Sequence, residues 1–230
     1  MIPKSHKKIY TPFYQRLVRL KSQLGTHILD FKQRELDHIA DWIAENGDEG
    51  PILDMGCSSG FTTRQLANRF GNSRVHGADI HWKSVNKCRS RYNDLQFHHI
   101  DLDFYRKYRG KYGTVLLSHV IEHVNQPVAL LNRVKTLLAD NGKLIVSVPQ
   151  ERIRGDSAIP ENFYNLFRLK FENVHRVKYS YKRLVSTLEA AGIRAVGHQY
   201  IHALWENGNV ENFFNHSLII YTQKFLISPS

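Results

Sequence analysis

The chain has 230 residues with a hydrophobic share of 42%, which suits a single α/β domain with its own core. No apolar run is long enough to span a bilayer, and no apolar stretch follows the basic residues 1–8, which argues against a secretory signal. Cys57 and Cys88 are too few for a disulfide framework or a zinc site. We therefore expect one cytoplasmic domain over residues 1–230.

The net charge of +11 comes largely from four basic clusters. Such clusters attract nucleic acid, phosphorylated or nucleotide-linked substrates and anionic membrane surfaces, although each one also fits an ordinary solvated helix face. The charge predicts an anionic acceptor, and it leaves nucleic acid and peripheral membrane contact as alternatives. The clusters are Lys4, Lys7, Lys8, Arg16, Arg19 and Lys21; Lys83, Lys87, Arg89 and Arg91; Arg106, Lys107, Arg109 and Lys111; and Arg176, Lys178, Lys182 and Arg183.

Two helices are predicted within residues 1–48, the first over residues 10–24 and the second over residues 28–45. Ile39 and Ile43 belong to an apolar stripe along the second helix. Because both helices precede the first strand, we expect them to pack beside the sheet or to cover the mouth of the ligand site.

A short apolar strand, a glycine-rich turn and a helix over residues 61–70 come next. Gly56 and Gly60 lack the Cβ atoms that would keep a ligand away from the backbone, and the helix offers N–H groups at its N-terminus. Asp54 adds a negative charge, which favours a cation over a phosphate. The turn also spells G-x-S-x-G, in which Ser58 would be the nucleophile of an α/β-hydrolase. The local pattern leaves both alternatives open.

Acidic residues end the next two predicted strands. Asp79 closes a strand over residues 73–80, about twenty residues beyond the glycines, and this spacing suits a carboxylate that binds ribose hydroxyls. Asp79 could instead cap the helix predicted over residues 83–92. Asp101 closes a third strand over residues 95–102.

A fourth strand is predicted over residues 114–124 and contains Ser118 and His119. A fifth strand over residues 143–149 follows a turn at residues 141–142. The alternation of apolar strands with helices predicts an α/β protein with a parallel, doubly wound sheet. Ligands of such sheets bind at the carboxyl ends of the strands, so we expect the acidic and polar strand ends to meet there.

Three motifs together resemble those of a known family. The acid-first motif D-x-G-x-S-x-G at residues 54–60 resembles motif I of the class I S-adenosylmethionine-dependent methyltransferases. Residues 118–124 (S-H-V-I-E-H-V) resemble their V-L-E-H-V signature, and residues 137–146 resemble their L-K-P-G-G turn and fifth strand. The similarity covers residues 50–150 and is to the small-molecule branch, which includes ubiquinone-pathway and sugar O-methyltransferases.

The resemblance implies that the protein is an enzyme that uses S-adenosyl-L-methionine as its methyl donor. Motif I would face the methionine part of this cofactor, Asp79 and Ile80 its ribose and adenine, and Asp101 and Leu102 the adenine edge. Ser58 replaces the usual glycine, which is acceptable if the position has a negative φ. The implied cofactor-binding residues are Asp54, Gly56, Cys57, Ser58, Gly60, Asp79, Ile80, Asp101, Leu102 and Ser118.

The resemblance further implies a mostly parallel, seven-stranded, Rossmann-like sheet with extra N-terminal helices. Residues 50–150 would be the cofactor-binding core, residues 150–178 an acceptor-binding insertion, and residues 179–230 a C-terminal helix and β-hairpin. The helix is predicted over residues 179–191 and the last strand over residues 217–222.

Methyl transfer to a hydroxyl requires alignment of donor and acceptor, and a base that removes the hydroxyl proton. Histidine has a suitable pKa, and His119, His123 and His175 are the candidates for this catalytic base. Some quinone-pathway methyltransferases hold a divalent ion at the positions that match His119, Glu122 and His123. A metal is therefore an alternative here, although we predict no metal ligand.

The acceptor is predicted to be a polar small molecule or a glycan, either phosphorylated or lipid-linked, that is methylated on oxygen. Methyltransferases of exocyclic base amines resemble one another in an Asn/Asp-Pro-Pro-Tyr/Phe tetrad, and residues 118–121 read Ser-His-Val-Ile instead. The alternatives are an RNA, a quinone-like acceptor methylated on carbon, and a non-catalytic protein that keeps the cofactor fold. The oligomeric state is left open.

Overall fold

A single mixed sheet forms the centre of the molecule and carries helices on both faces. The structure is a computed structural model, and it describes residues 31–47, 49–150, 179–202, 208–211 and 215–224. The strands are β1 (Ile52–Met55), β2 (Val75–Asp79), β3 (Gln96–His99), β4 (Tyr112–Ser118), β5 (Leu138–Pro149), β6 (Ile193–His202) and β7 (Asn215–Lys224). The helices are α1 (Phe31–Asn46), α2 (Phe61–Phe70), α3 (Trp82–Arg91), α4 (Phe104–Lys107), α5 (Pro127–Leu137) and α6 (Tyr181–Ala190), and a 3₁₀ helix spans Ile121–His123.

The strand order is β3-β2-β1-β4-β5-β7-β6. Strands β1 to β5 are parallel, whereas β7 runs antiparallel to both β5 and β6. Parallel neighbours need crossover connections, and α2, α3, α4 and α5 lie in these connections. The predicted fold class, a doubly wound and mostly parallel seven-stranded sheet, is confirmed. The order reverses between β1 and β4, which is where ligands bind in open α/β sheets.

The central strands are buried on both faces, as their continuous apolar runs predict. Val115 and Leu117 of β4 point into one core together with residues of α5 and α6, whereas Leu116 points into the other core with residues of α1, α2 and α3. The side chains alternate because successive residues of a strand face opposite sides of the sheet.

Helix α1 packs on the sheet beside α2, in agreement with its predicted apolar stripe. Leu36, Ile39 and Ile43 are buried at helical spacing. Trp42 stacks on Tyr221 of β7, with the ring centroids 4.6 Å apart. The helix begins at Phe31 within the described residues and ends at Asn46, one residue later than predicted.

Other predicted features lie outside the described residues. These are the first predicted helix over residues 10–24, most of the predicted acceptor-binding insertion at residues 151–178, and His175 within it. Among the helices that the structure does describe, none is both long and apolar enough to cross a membrane.

Strand β4 is shorter than predicted. It ends at Ser118 rather than at residue 124, because His119 has a φ of 54° and turns the chain out of the strand. The His119 N–H still donates to the carbonyl oxygen of Ser147 on β5, at 3.0 Å. The residues that follow form the 3₁₀ helix, so the signature segment is a turn and not a strand.

The turn predicted at residues 141–142 is an irregularity inside β5, which already begins at Leu138. Tyr112 of β4 pairs with Leu138 and Thr114 pairs with Lys143, so the register shifts between the two pairs. The chain does turn at the predicted position, since a Cβ added at Gly142 would be 2.9 Å from the backbone nitrogen of Ala139, and regular pairing begins at Lys143 as predicted. The prediction missed only that Leu138, before the turn, also pairs with β4.

Candidate active site

The turn between β1 and α2 lies directly against the chain that follows β4. Gly56 has a φ of 89°, and a Cβ added there would be 2.4 Å from Cγ2 of Val120. The N–H groups of Gly56 and Cys57 donate to the carbonyl oxygen of Ala78, at 2.7 and 3.0 Å. Glycine is required at this position because both the left-handed backbone and the contact with Val120 exclude a Cβ.

The backbone angle φ of Ser58, in the middle of this turn, differs from the value that we expected. Ser58 has a φ of 48°, so the negative φ under which we considered a serine acceptable is not present. Two contacts hold the serine in this left-handed conformation, which costs about 1 kcal/mol or more. Its N–H donates to Oδ2 of Asp79 at 2.9 Å, and its carbonyl oxygen accepts from the Cys88 thiol at 3.3 Å. Gly60, with a φ of 74°, then leads into α2.

Cys57 and Cys88 are both buried free thiols. Burial is the main cause that raises the pKa of each thiol, and the negative charges of Asp54 and Asp79 act in the same direction. Thiols with a raised pKa are poor nucleophiles. The two cysteines therefore pack the motif I turn and are not candidates for covalent chemistry.

Asp54 is a buried carboxylate directly below the turn. Its Oδ2 accepts a hydrogen bond from Oγ1 of Thr63, in the first turn of α2, at 2.6 Å. Burial raises the pKa of Asp54 to about 6; the hydrogen bonds from Thr63 oppose this shift and the negative charge of Asp79 adds to it. A positively charged group of a ligand would stabilise the ionised form of such a carboxylate.

The contribution of Asp54 to the free energy of unfolding is expected to fall as the pH rises from about 4 to about 6. Burial lowers the pKa values of His76 and His98 to about 4, so these two groups contribute in the opposite direction, and the measured quantity is the difference between the wild type and Asp54→Asn. The pKa of Asp54 is about 6 when folded and 3.8 ordinarily, so the folded state binds more protons in this window. Ionising the buried group costs about 3 kcal/mol. Asp54→Asn removes this contribution, and urea unfolding across the window measures it. Asp94→Asn, at the surface, serves as the control, and equal pH dependence in wild type and Asp54→Asn would contradict the assignment.

Asp79 is the last residue of β2, and its side chain is hydrogen-bonded to the motif I turn. Its buried carboxylate accepts from the N–H of Ser58 through Oδ2, at 2.9 Å, and from the N–H of His81 through Oδ1, at 2.8 Å. Asp79 is not the N-cap of α3: the N-cap is His81, and no side chain among the described residues caps this helix. Asp79 holds the backbone of the residue that precedes the helix. Both oxygens are held in a fixed position beside the motif I turn.

Asp101 lies at the end of β3 and has a local structural role. Its Oδ1 accepts from the N–H groups of Asp103 and Phe104, at 3.0 and 2.9 Å, and so binds the N-terminus of α4. Strand β3 therefore ends at His99 and not at residue 102, because the chain turns to begin this helix. The structure places Asp101 on the expected sheet edge, beside the end of β2.

Two apolar side chains are exposed at the same edge. Ile80 is 63% exposed and Leu102 is fully exposed. A cleft of about 420 Å³ borders Leu102 and Asp101, and another of about 380 Å³ borders Asp101 and His99. Exposed apolar side chains next to open space are the surface that a flat purine ring would cover.

The turn after β4 brings two of the predicted histidines to the motif I turn. His119 has a side chain that is 27% exposed and His123 one that is 42% exposed. Buried Glu122 lies between them, with Oε1 3.7 Å from Nδ1 of His119 and 3.9 Å from Nε2 of His123. Because Val120 contacts the Gly56 position, both histidines belong to the same edge as the glycine turn.

Glu35 of α1 is a site residue that the sequence did not reveal. It is buried, with Oε2 3.3 Å from Nε2 of His119, and its Oε1 accepts a short hydrogen bond from the Ser147 hydroxyl. Burial opposes its ionisation, but His119, the Ser147 hydrogen bond and the charge of His216 outweigh burial and lower the pKa of Glu35 to about 2. One signal was available: Glu35 precedes buried Ile39 by one helical turn and so lies on the apolar stripe.

Within the described ranges, no three His, Cys, Asp or Glu side chains are arranged to hold a metal ion. The side chains of His119, Glu122 and His123 therefore give no support to the divalent-ion alternative. We derive no catalytic step through a metal.

A family comparison resolves the alternatives that the glycine motif leaves open. A model described as a methyltransferase domain matches residues 26–197, which is most of the chain. The chain belongs to this methyltransferase family. It is a class I enzyme whose methyl donor is S-adenosyl-L-methionine, and the hypothesis of a hydrolase with Ser58 as nucleophile is set aside.

Two curated relatives are similar to part of the methyltransferase. A trans-aconitate 2-methyltransferase of Sinorhizobium medicae is 27% identical over 101 residues, 44% of this chain and 39% of that protein. A tRNA U34 carboxymethyltransferase of Campylobacter curvus is 25% identical over 142 residues, 57% of this chain and 44% of that protein. The chain thus spans less than half of the length of the curated relatives that it matches.

Solved structures share the fold over nearly the whole methyltransferase. Magnesium protoporphyrin IX methyltransferase of Synechocystis with bound S-adenosylhomocysteine has a TM-score of 0.59 at 18% identity, covering 93% of this chain and 94% of that chain. A SAM-dependent methyltransferase of Aquifex aeolicus has a TM-score of 0.61 at 15% identity, covering 94% of this chain and 100% of that chain.

The geometry of the methyltransferase fits its cofactor. Val120 fills the space where a Cβ of Gly56 would stand, so this glycine admits the turn after β4 and not the ligand, which corrects the expectation from the sequence. Buried Asp54 has a raised pKa that a sulfonium or ammonium group would lower. Its charge and the exposed apolar side chains of Ile80 and Leu102 agree with a ligand that is both cationic and partly apolar.

Proposed function

We propose that the methyltransferase methylates an oxygen atom of a polar, anionic small molecule, a glycan among the candidates. The observation that carries this proposal is the contact between Val120 and the Gly56 position. It sets the turn with His119 and His123 beside motif I, so a group that can accept a proton lies next to the place where the methyl donor binds. An in-line displacement requires the methyl donor and the acceptor oxygen to be aligned, and a base that lies within hydrogen-bond distance of the acceptor.

When bound, S-adenosyl-L-methionine supplies a methyl group that is activated on a sulfonium sulfur. We assign its methionine part to the motif I turn above Asp54, and its ribose hydroxyls to the carboxylate of Asp79. Ile80 and Leu102 then cover the faces of the adenine, with Asp101 at its edge. The exposure of the two apolar side chains and the fixed position of the Asp79 oxygens support this arrangement.

An anionic acceptor is supported by the charge of the chain, which is +11. It also agrees with the name of the Sinorhizobium medicae relative, since trans-aconitate is a polar carboxylate. A carboxylate oxygen needs no base, whereas a hydroxyl does. For a hydroxyl acceptor, His119 and His123 are the described residues from which the base is drawn, and His175 is a third candidate outside the described residues.

The test is transfer of a radiolabelled methyl group from the donor to a panel of acceptors. The panel contains carboxylates such as trans-aconitate, phosphorylated sugars, lipid-linked glycans, quinols and total tRNA. We expect label in a carboxylate, sugar or glycan acceptor, and none with Asp79→Ala. Label confined to tRNA or to a quinol carbon would contradict the proposed acceptor class while leaving the methyltransferase activity established.

A paired variant then tests the anionic character of the acceptor. Arg176 and Lys178 belong to the fourth basic cluster, and replacing both with alanine removes two positive charges. We expect turnover of an anionic acceptor to fall about tenfold or more, as for the loss of charge-assisted hydrogen bonds. Lys182→Ala with Arg183→Ala, in the same cluster but on α6, is the matched control. Unchanged turnover after loss of Arg176 and Lys178 would contradict their role.

A further inference from the structure

Acidic and basic side chains alternate in a row that runs from the interior of the sheet to the surface. The hydroxyl of Ser147 donates to Glu35, and Glu35 lies 3.3 Å from Nε2 of His119. Nδ1 of the same ring lies 3.7 Å from Glu122, and Glu122 lies 3.9 Å from Nε2 of His123. The row joins β5, α1 and the turn after β4, and only His123 at its end is well exposed.

The two carboxylates of this row are buried, which is costly unless a positive charge compensates them. A protonated His119 is the largest of the causes that lower the pKa of Glu35, so the charge of each group depends on the charge of the other. His119 places one ring nitrogen toward each carboxylate. A neutral ring has one N–H and one lone pair, so one of its nitrogens would present a lone pair to a carboxylate. An imidazolium presents an N–H to each carboxylate, in a hydrogen bond to Glu35 at 3.3 Å and in an ion pair with Glu122 at 3.7 Å.

We propose that His119 is held as an imidazolium that bridges Glu35 and Glu122, and that His123 is the group that takes the proton from a hydroxyl acceptor. This inference rests on the proposed function, since it chooses between the two histidines of that site. Glu35 and His119 are then positioning residues: they fix Glu122, and Glu122 orients the ring of His123. The N-terminal helix α1 thereby becomes part of the active site.

The surroundings of His119 agree with a fixed ring and not with a base that gains and loses a proton. Its backbone is in the left-handed region, and its N–H is bonded to the carbonyl oxygen of Ser147. Among the described residues, the titratable groups that face it are Glu35 from α1, Glu122 from the 3₁₀ helix and His216 from β7, whose ring centroid is 6.4 Å away. The two carboxylates in this set stabilise a charged His119 ring, whereas His216 would oppose it only if it were protonated.

The proton step follows from the order of the row. As the acceptor oxygen forms its bond to the methyl carbon, the hydroxyl proton passes to His123, and the electron pair of the broken carbon–sulfur bond stays on sulfur. Nε2 of His123 faces Glu122, so the proton goes to the other ring nitrogen. The imidazolium that forms is stabilised by the Glu122 carboxylate, as the carboxylate stabilises the histidine of a catalytic triad.

The experiment is ¹⁵N NMR of histidine-labelled protein at about pH 8, well above the ordinary histidine value of about 6.5. The His119 signals are assigned by their loss in His119→Gln. In the wild type we expect both ring nitrogens of His119 to carry a proton, and those of His123 to show a neutral ring. In Glu35→Gln the His119 ring loses one proton, whereas Glu45→Gln, exposed on the same helix, leaves it unchanged.

A neutral His119 ring in the wild type at about pH 8 would overturn the inference, and this result needs no variant. The same holds if Glu35→Gln, shown to be folded by its thermal unfolding, keeps both protons on His119. The NMR result does not depend on turnover. Binding of S-adenosylhomocysteine, measured in parallel, reports on the cofactor site, so failure of the proposed function is distinguishable from failure of this inference.

Discussion

Calorimetric titration of S-adenosylhomocysteine into the methyltransferase is expected to give micromolar binding, which Asp79→Ala weakens about 100-fold. The reason is the fixed position of the Asp79 carboxylate at the end of β2, where it can accept from two ribose hydroxyls. Hydrogen bonds to a charged group contribute about 1.5 to 3 kcal/mol each, and about 1.4 kcal/mol corresponds to a factor of ten.

The matched control for this titration is Asp94→Ala, which removes a surface aspartate paired with Arg64. It should bind S-adenosylhomocysteine as the wild type does. Because Asp79 also accepts from the N–H of Ser58, thermal unfolding of Asp79→Ala shows whether the turn itself survives. Wild-type affinity in a folded Asp79→Ala protein would contradict the ribose assignment, and no binding to the wild type would contradict the cofactor assignment.

Gly56→Ala is expected to destabilise the methyltransferase by about 3 kcal/mol. A left-handed φ costs an alanine about 1 kcal/mol or more, and the overlap with a neighbouring side chain adds about 1 to 3 kcal/mol. The new Cβ would stand 2.4 Å from Cγ2 of Val120, so the turn after β4 has to move. Urea unfolding measures the loss, and S-adenosylhomocysteine binding should fall with it.

Gly71→Ala separates the two causes of this loss. Gly71 has a φ of 94°, close to that of Gly56, but a Cβ at Gly71 would meet nothing within 4 Å. Its ψ of 144° lies outside the αL region, in a conformation that is essentially limited to glycine, so a backbone cost of about 1 to 3 kcal/mol without any overlap is expected there. Val120→Ala in the Gly56→Ala background should recover the part of the Gly56→Ala loss that is due to overlap. If Val120→Ala recovers none of that loss, the contact between motif I and the β4 turn is not what requires Gly56.

The sequence predicted the sheet, and the edge of it on which Asp54 and Asp79 lie, because both depend on local patterns. Apolar strands that alternate with helices can only be parallel and covered on both faces, which placed Asp54 and Asp79 on one edge. Helix α2 begins and ends where it was predicted, since Gly60 and Gly71 mark its ends. These features need no knowledge of distant contacts.

The predicted end of β4 and the predicted backbone angle of Ser58 were wrong because the backbone departs from regular geometry at both positions. The left-handed φ of His119 ends β4 early, and the left-handed φ of Ser58 replaces the negative φ that we assumed. Both residues are held by partners distant in the chain: His119 by Ser147, and Ser58 by Asp79 and Cys88. Local propensity alone predicts a strand residue and an ordinary turn at these positions.

The sequence by itself determined the fold class and the methyl donor, whereas the strand-end residues assigned to that donor stay a prediction. Only the tertiary structure placed Glu35 on His119, 84 residues away, and Ser147 on Glu35, 112 residues away. Helical periodicity puts Glu35 on the buried face of α1, but no local pattern identifies His119 and Ser147 as its partners, because both contacts join elements that are distant in the chain. Two of the three histidines predicted as the base, His119 and His123, lie in a row with two buried carboxylates, which we propose set the protonation of each ring. The third, His175, lies outside the described residues.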